Sequence, residues 1–196
     1  MNAPKLTFPK RFEGSFAIPS NESYLIQVDF ADQPISVVTK REAHLKGILH
    51  RAFSIFIFRR VDSYYQLLLQ QRAWGKYHSG GLWTNTCCSH VVFDHPIELT
   101  AQSRLKDEMG FECPLSCVGS FYYKADLNNE MIEHEIDHVF AAIYDPPNIC
   151  LNRDEAIDFK WIEINSLKKL LVEKPHEFTA WLANAFMVAL KFNEIN

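Results

Sequence analysis

The chain has 196 residues, of which 47% are hydrophobic and 22% charged, with a formal net charge of -4. That length suits one domain with a sizeable core, and the slight negative charge excludes the basic field that a nucleic-acid surface needs, so a phosphate-bearing ligand must be met by a few local cations. Five cysteines without a C-x-x-C pair fit no disulfide framework. No signal-type apolar run opens the chain and no stretch approaches the ~18 apolar residues of a membrane span, so the cytoplasm is the expected compartment, with no membrane partner.

Residues 1–22, a polar and proline-containing lead-in, read as an extension, and 23–196 as a single domain. Residues 24–29 alternate as a strand and turn at 31–34 into residues 35–38, a hairpin. A loop or short helix with Gly47 in it follows, from Lys40 to His50. Residues 51–58 are almost continuously apolar, as in a central strand covered on both faces. Another strand is expected over 64–71, then a glycine-containing loop over 72–81, and an extended segment over 82–90. Pro96 suits the first turn of a helix that carries Ile97, Ala101, Leu105 and Met109 on one face and ends at Gly110. Strands over 117–125 and 132–144, separated by a turn at 126–129, precede a short strand over 156–162 and helices over 166–172 and 178–192. The pattern predicts a mixed sheet between helical layers, an α/β class.

Several constellations carry chemistry. In the segment Leu82-Trp83-Thr84-Asn85-Thr86-Cys87-Cys88-Ser89-His90, an extended backbone puts Cys88 and His90 on one face and Cys87 on the other, so a thiol and an imidazole share one wall. In Glu133-His134-Glu135-Ile136-Asp137-His138 the three carboxylates face one way and the two imidazoles the other. Either this is a solvated acidic edge, or a cation or shared proton relieves the repulsion; the apolar residues that follow, Val139-Phe140-Ala141-Ala142, argue against exposure. His44, His50 and His90 supply imidazoles that, with carboxylates, suit Zn, Mn, Fe or Mg. Arg72, Lys76 and Arg104, with Lys40 as a fourth, are few enough to suit a diphosphate. The four tryptophans are core candidates, one of which could face a developing cation.

Taken together, Gly47-Ile48-Leu49-His50-Arg51-Ala52-Phe53-Ser54, the Leu82 to His90 segment and Glu133-His134-Glu135-Ile136-Asp137 resemble the signature segments of the type 1 isopentenyl-diphosphate delta-isomerases, members of the Nudix superfamily, over residues 40–181. The resemblance implies a Nudix-like α/β/α sandwich and the 1,3-allylic isomerisation of isopentenyl diphosphate to dimethylallyl diphosphate through a carbocation. It implies Cys88 and Glu135 as catalytic groups on opposite faces of the allylic unit, Tyr123 beside the carboxylate, and Trp181 as a pocket indole. Lys40, Arg72, Lys76 and Arg104 correspond to diphosphate-binding cations. His44, His50, His90, Glu133 and Glu135 would hold a divalent metal, Mn2+, Zn2+ or Mg2+, and Glu108 would help hold a Mg2+ that touches the diphosphate.

Two rivals are weighed against this. A Nudix diphosphohydrolase needs clustered carboxylates around several metals, but its box laid on this chain meets Ser89, His95, Ser103 and Arg104, with Asp107, Glu108, Gly110 and Phe111 surviving. A non-catalytic, metal-stabilised module would use Cys88, His90 and the acidic strand as a closed site.

Overall fold

The computed structural model of the protein describes residues 23–91, 95–127 and 130–192; the 1–22 extension and Asn128 and Asn129 of the expected turn lie outside the described residues. At its centre runs the strand β3 (His50–Val61), buried along nine of its twelve residues, which is what its nearly continuous apolar run requires. On one side β3 pairs in parallel with β8 (Ile132–Ile143), in a register that sets His50 against Glu135 and Ala52 against Asp137. Beyond β8 lies β7 (Ser116–Asp126), antiparallel, with Tyr123 opposite Glu135. On the other side of β3, β6 (Cys87–His90) pairs with its first half and β4 (Tyr64–Arg72) with its second. β9 (Ala156–Glu163) and β5 (Trp83–Thr84) pair with β4. The hairpin of β1 (Tyr24–Val28) and β2 (Pro34–Thr39) touches β3 at Gln27 and His50.

Strand residues alternate between faces, so the sheet supports two cores. Phe53, Ile55 and Ile57 enter one, beneath Ala101, Leu105 and Met109 of α2 (Ile97–Met109). Phe56 and Phe58 enter the other, beneath α3 (Ile164–Glu173) and α4 (Leu182–Ala189). The expected α/β/α sandwich with a mixed sheet is the observed architecture. The short helix α1 (Lys40–Lys46) opens on Thr39, whose hydroxyl accepts the Glu42 N–H, and stops at Gly47 with φ 59°. Gly110 ends α2 at φ 79°, and a methyl group there would lie 2.5 Å from the carbonyl oxygen of Cys150. That close approach lets the Cys150 and Asn152 N–H groups donate to Met109 and Glu108 carbonyls, which fixes the loop leading to β9 against the end of α2. Among the described residues no helix is long and apolar enough to cross a membrane.

Several expectations need correction. The segment over 82–90 is two strands, interrupted at Asn85 and Thr86. The Thr86 hydroxyl accepts the Ile57 N–H and donates to the Leu68 carbonyl, and the Asn85 amide donates to the Ile55 and Cys87 carbonyls. Side chains therefore replace the backbone ladder at the break. The last helix starts at Leu182, not at 178, because Phe178 bridges to Trp83 and the Thr179 N–H donates to the Trp83 carbonyl. The acidic segment is no solvated edge, since β8 lies between β3 and β7 and Glu133, Glu135 and Asp137 are all buried. Trp74 is no core residue but 73% exposed. Most of the cysteines read as buried, reduced small hydrophobes, but among these free thiols Cys117 and Cys150 are exposed.

On the β1–β2 turn, Asp32 accepts hydrogen bonds from Arg51 Nε at 2.8 Å and sits 2.9 Å from His138 Nε2, so it ties the turn to β3 and β8. Burial raises the Asp32 carboxyl, but the bonds to His138 and Arg51 outweigh it and hold the group below its ordinary value of 3.8. A depressed carboxyl stabilises the fold above its unfolded-state pKa, and that contribution disappears as pH falls through the folded-state value. Asp32→Asn is therefore expected to be less stable than wild type at neutral pH, and the gap in urea midpoint should narrow as pH falls below about 4. A gap that does not change with pH would remove this carboxylate from the acid limb.

Candidate active site

The face of the sheet that carries α3 and α4 is apolar at one end and polar at the other. On β8, Val139 and Ala141 join the core while Glu133, Glu135 and Asp137 continue the same face. On β3, Phe56 and Phe58 give way to Ser54 and Ala52. Short side chains there leave a cavity of about 660 Å3, whose lining includes Cys88, His90, Tyr123, Glu133, Glu135 and Trp181. Cys88 and Glu135 thus open into one cavity, not two. Its wall also carries Lys40, Arg72, Lys76 and Arg104, so all four predicted cations reach the same space. Arg72 gets there through an irregularity in the β4–β9 register between Gln71 and Arg72. Gln70 points to the α2 side, where it donates to Glu108, and strict alternation would send Arg72 after it; a bulge re-aims such a side chain.

His44, His50, His90, Glu133 and Glu135 converge, with one potential ligand atom from each lying within 4.8 Å of all the others. His90 Nε2 is 3.0 Å and His50 Nε2 3.3 Å from Glu135 Oε1, and His44 Nε2 is 3.5 Å from Glu133 Oε2. The outward ring nitrogens are already engaged: His44 Nδ1 bonds the Lys40 carbonyl at 2.7 Å and His50 Nδ1 the Ile48 carbonyl at 2.8 Å. Carbonyls only accept, so these Nδ1 atoms carry hydrogens and the Nε2 atoms turn to the cluster, where the Glu135 carboxylate raises His50 above its ordinary value against the effect of burial. Those Nε2 atoms, that of His90 and Glu133 Oε2 are buried without a hydrogen-bond partner. Buried polar atoms left unpaired are costly, and three imidazoles with two carboxylates form a donor set that fits a divalent metal ion.

Protonation follows from burial and neighbours. Burial, with Lys40 and His50 nearby, pushes His90 well down, so its ring is neutral. Burial raises Glu133 and Glu135, but imidazole contacts more than offset it and hold both below the ordinary value. Asp137 goes the other way: burial and the Glu135 charge push it well up, against the hydrogen bond at 2.7 Å that it accepts from Ser54. The Tyr123 hydroxyl donates to Glu135 Oε2 at 2.6 Å. Burial pushes the Cys88 thiol up to about 12 although Arg72 pulls the other way, with Arg72 Nη1 3.7 Å from the sulfur. Cys88 is therefore a thiol at neutral pH. Lys40 is lowered by burial and by Lys76 and Arg72, as expected where cations crowd.

Trp181 is 3% exposed, its indole N–H bonded to Asn85 Oδ1 at 3.2 Å and its ring 5.3 Å from the Arg72 guanidinium. Glu108 is not brought into the cavity lining: Arg104 donates to its Oε1 at 2.6 Å and Gln70 to its Oε2 at 3.0 Å. Among the acidic and imidazole side chains of the wall, three were not among the predicted site residues: His78, Asp137 and Glu155. Asp137 was visible in the strand alternation. Glu155, which pairs with Lys76 and with Arg104, has no local signal, because it lies on a loop and meets its partners only in space. His78 lay within the glycine-containing loop but had no strand or helix period to place it.

Residues 48–182, more than half of the chain, match the NUDIX domain family. A protein of Photorhabdus laumondii named "Isopentenyl-diphosphate Delta-isomerase 2" is 48% identical over 160 residues, covering 82% of this chain and 88% of the relative. One of Aromatoleum aromaticum, named "Isopentenyl-diphosphate Delta-isomerase 1", is 47% identical over 161 residues, covering 82% and 89%. Among solved structures, DR0079 from Deinococcus radiodurans shares the fold with a TM-score of 0.66 at 13% identity, over 87% of this chain and 99% of that one. The shared fold, together with close likeness over four fifths of its length, means that this chain belongs to the isopentenyl-diphosphate Delta-isomerase family, on a NUDIX domain.

Proposed function

We propose that the protein converts isopentenyl diphosphate to dimethylallyl diphosphate, with Cys88 and Glu135 as the two groups that handle protons. The observation that carries this reading is that β6 and β8 bring a thiol and a carboxylate to one cavity that also gathers Lys40, Arg72, Lys76 and Arg104. The reaction adds a proton to the terminal methylene carbon and removes one from the carbon nearer the diphosphate. The positive charge in between rests on the branched carbon, and the double bond ends one position along. Two proton carriers on different walls are needed because the two hydrogens leave and arrive at different carbons. Cys88 holds a proton as a thiol, while the Glu135 carboxylate shares one with the Tyr123 hydroxyl. The indole of Trp181 lines the same space and offers a π face to the transient cation.

The four cations hold the diphosphate, whose departure the carbocation would otherwise favour. Arg104 now leans on Glu108 and Glu155; turning to the diphosphate would release a Glu108 oxygen for the Mg2+ that accompanies it. His44, His50, His90, Glu133 and Glu135 would hold a second ion, with Zn2+ and Mn2+ favoured over Mg2+ by the three imidazoles. Bound there, an ion would lower the proton affinity of Glu135, and on the diphosphate Mg2+ would offset negative charge. Hydrolysis is the weaker reading. On α2 the one buried carboxylate, Glu108, faces the guanidinium of Arg104 where a hydrolytic box would set another carboxylate.

The protein incubated with isopentenyl diphosphate and Mg2+ is expected to give dimethylallyl diphosphate without phosphate release. Cys88→Ala should lose turnover by roughly 100- to 10,000-fold, the usual range for a positioned acid or base. Cys87→Ala, which alters the core under α2 and not the cavity, should keep activity of the same order as wild type. Equal loss in both variants, or phosphate as the main product, would overturn the reading. Stripping with a chelator should lower the melting temperature, and restoring Zn2+ or Mn2+ at a hundred times its Kd should return about 2.7 kcal/mol of stability. His44→Ala and Glu133→Gln should blunt that response; a full response in both would place the ion elsewhere.

A further inference from the structure

His78 lies on the loop between β4 and β5, 8% exposed, and has no part in the proton transfers above. Its Nε2 is 3.0 Å from Glu133 Oε1. Its ring stands edge-on to Trp181, with centroids 6.0 Å apart at 84°, and lies 5.5 Å from the ring of His44. Its backbone carbonyl accepts a hydrogen bond from Arg72 Nη2 at 3.2 Å. The other oxygen of Glu133, Oε2, is the one left without a hydrogen-bond partner beside His44 Nε2. One carboxylate oxygen is thus gripped from outside the cluster, and the other is left for whatever the cluster holds. His78 is not itself one of the converging ligands; its Nε2 meets Glu133 at the oxygen away from His44.

We propose that His78 is a positioning residue for the metal cluster. Its imidazole N–H holds Glu133 in the orientation that presents Oε2 to a divalent ion. Through its own carbonyl it also ties Arg72, and with it the cation-bearing loop, to that cluster. The inference rests on the metal reading of the five residues above. Its physical basis is that a glutamate side chain has three rotatable bonds, and a hydrogen bond to the oxygen away from the ion removes much of that freedom before binding. The bland alternative is that the ring only packs against Trp181.

Two variants separate the alternatives. His78→Phe keeps an aromatic ring beside Trp181 but has no donor, whereas His78→Gln loses the ring but places an amide N–H at about the reach of Nε2. Chelator-stripped wild type and both variants are titrated with Mn2+, with free Mn2+ read by electron paramagnetic resonance and folding checked by circular dichroism. His78→Phe should weaken Mn2+ binding by about 10- to 100-fold, the range for such outer partners, and His78→Gln should recover most of it. If His78→Phe does not fold, His78→Leu takes its place. Wild-type affinity in the donor-less variant, or equal weakening in both, would overturn the proposal. Failure of the wild type to bind Mn2+ at all would instead overturn the metal reading on which it stands.

Discussion

The parallel register of β3 against β8 is the constraint on which the site depends. Setting His50 against Glu135 and Ala52 against Asp137 puts the imidazole and the carboxylates on one face, and the antiparallel partners extend the same rows to Tyr123 on β7 and His90 on β6. A shift of one residue would turn Glu133, Glu135 and Asp137 into the core beneath α2 and bring Val139 and Ala141 out of the other. That error would bury three carboxylates among hydrocarbon side chains. The apolar half of the two strands therefore protects the polar half: Phe56, Phe58, Val139 and Ala141, locked under α4, leave the polar rows a single place to lie.

Concentrating charge in this way is expensive unless each group has a partner. Glu133 and Glu135 are flanked by imidazoles, Asp137 is pushed towards its neutral form, and Cys88 keeps its proton. Three carboxylates on one strand face thus part company: Glu133 and Glu135 are held down while Asp137 is pushed up. Separated proton affinities among adjacent groups are what an acid–base reaction needs, and here they arise from which elements pack over each residue.

Much of this could be read from the chain. Strict alternation gave the faces of Cys88 and His90 and of Glu133, Glu135 and Asp137, because a strand's period of two is insensitive to where it begins. The continuous apolar run of β3 announced a strand buried on both sides. What escaped had no periodicity to betray it. The break at Asn85 and Thr86 depends on side chains standing in for backbone, and the late start of α4 on Phe178 and Thr179 pairing with a strand distant in sequence. Arg72 reaches the cavity through an irregularity of register, which a pattern of alternating residues does not encode. Helical spacing sets Glu108 one turn from Arg104, but it does not show that Gln70 of β4 takes the other carboxylate oxygen.

Glu155 has a bearing on catalytic cycling that its place on a loop conceals. Lys76 and Arg104 each lean on one of its oxygens, so a diphosphate that takes these cations must displace a counter-anion the protein already carries. When the product departs, the carboxylate reclaims them. Starting material and product bear the same headgroup, so this internal competitor weakens the grip on both alike. On the proposed role of these cations it would favour neither isomer, and it would shorten the stay of a polyanion in a cavity that carries as many carboxylates as cations.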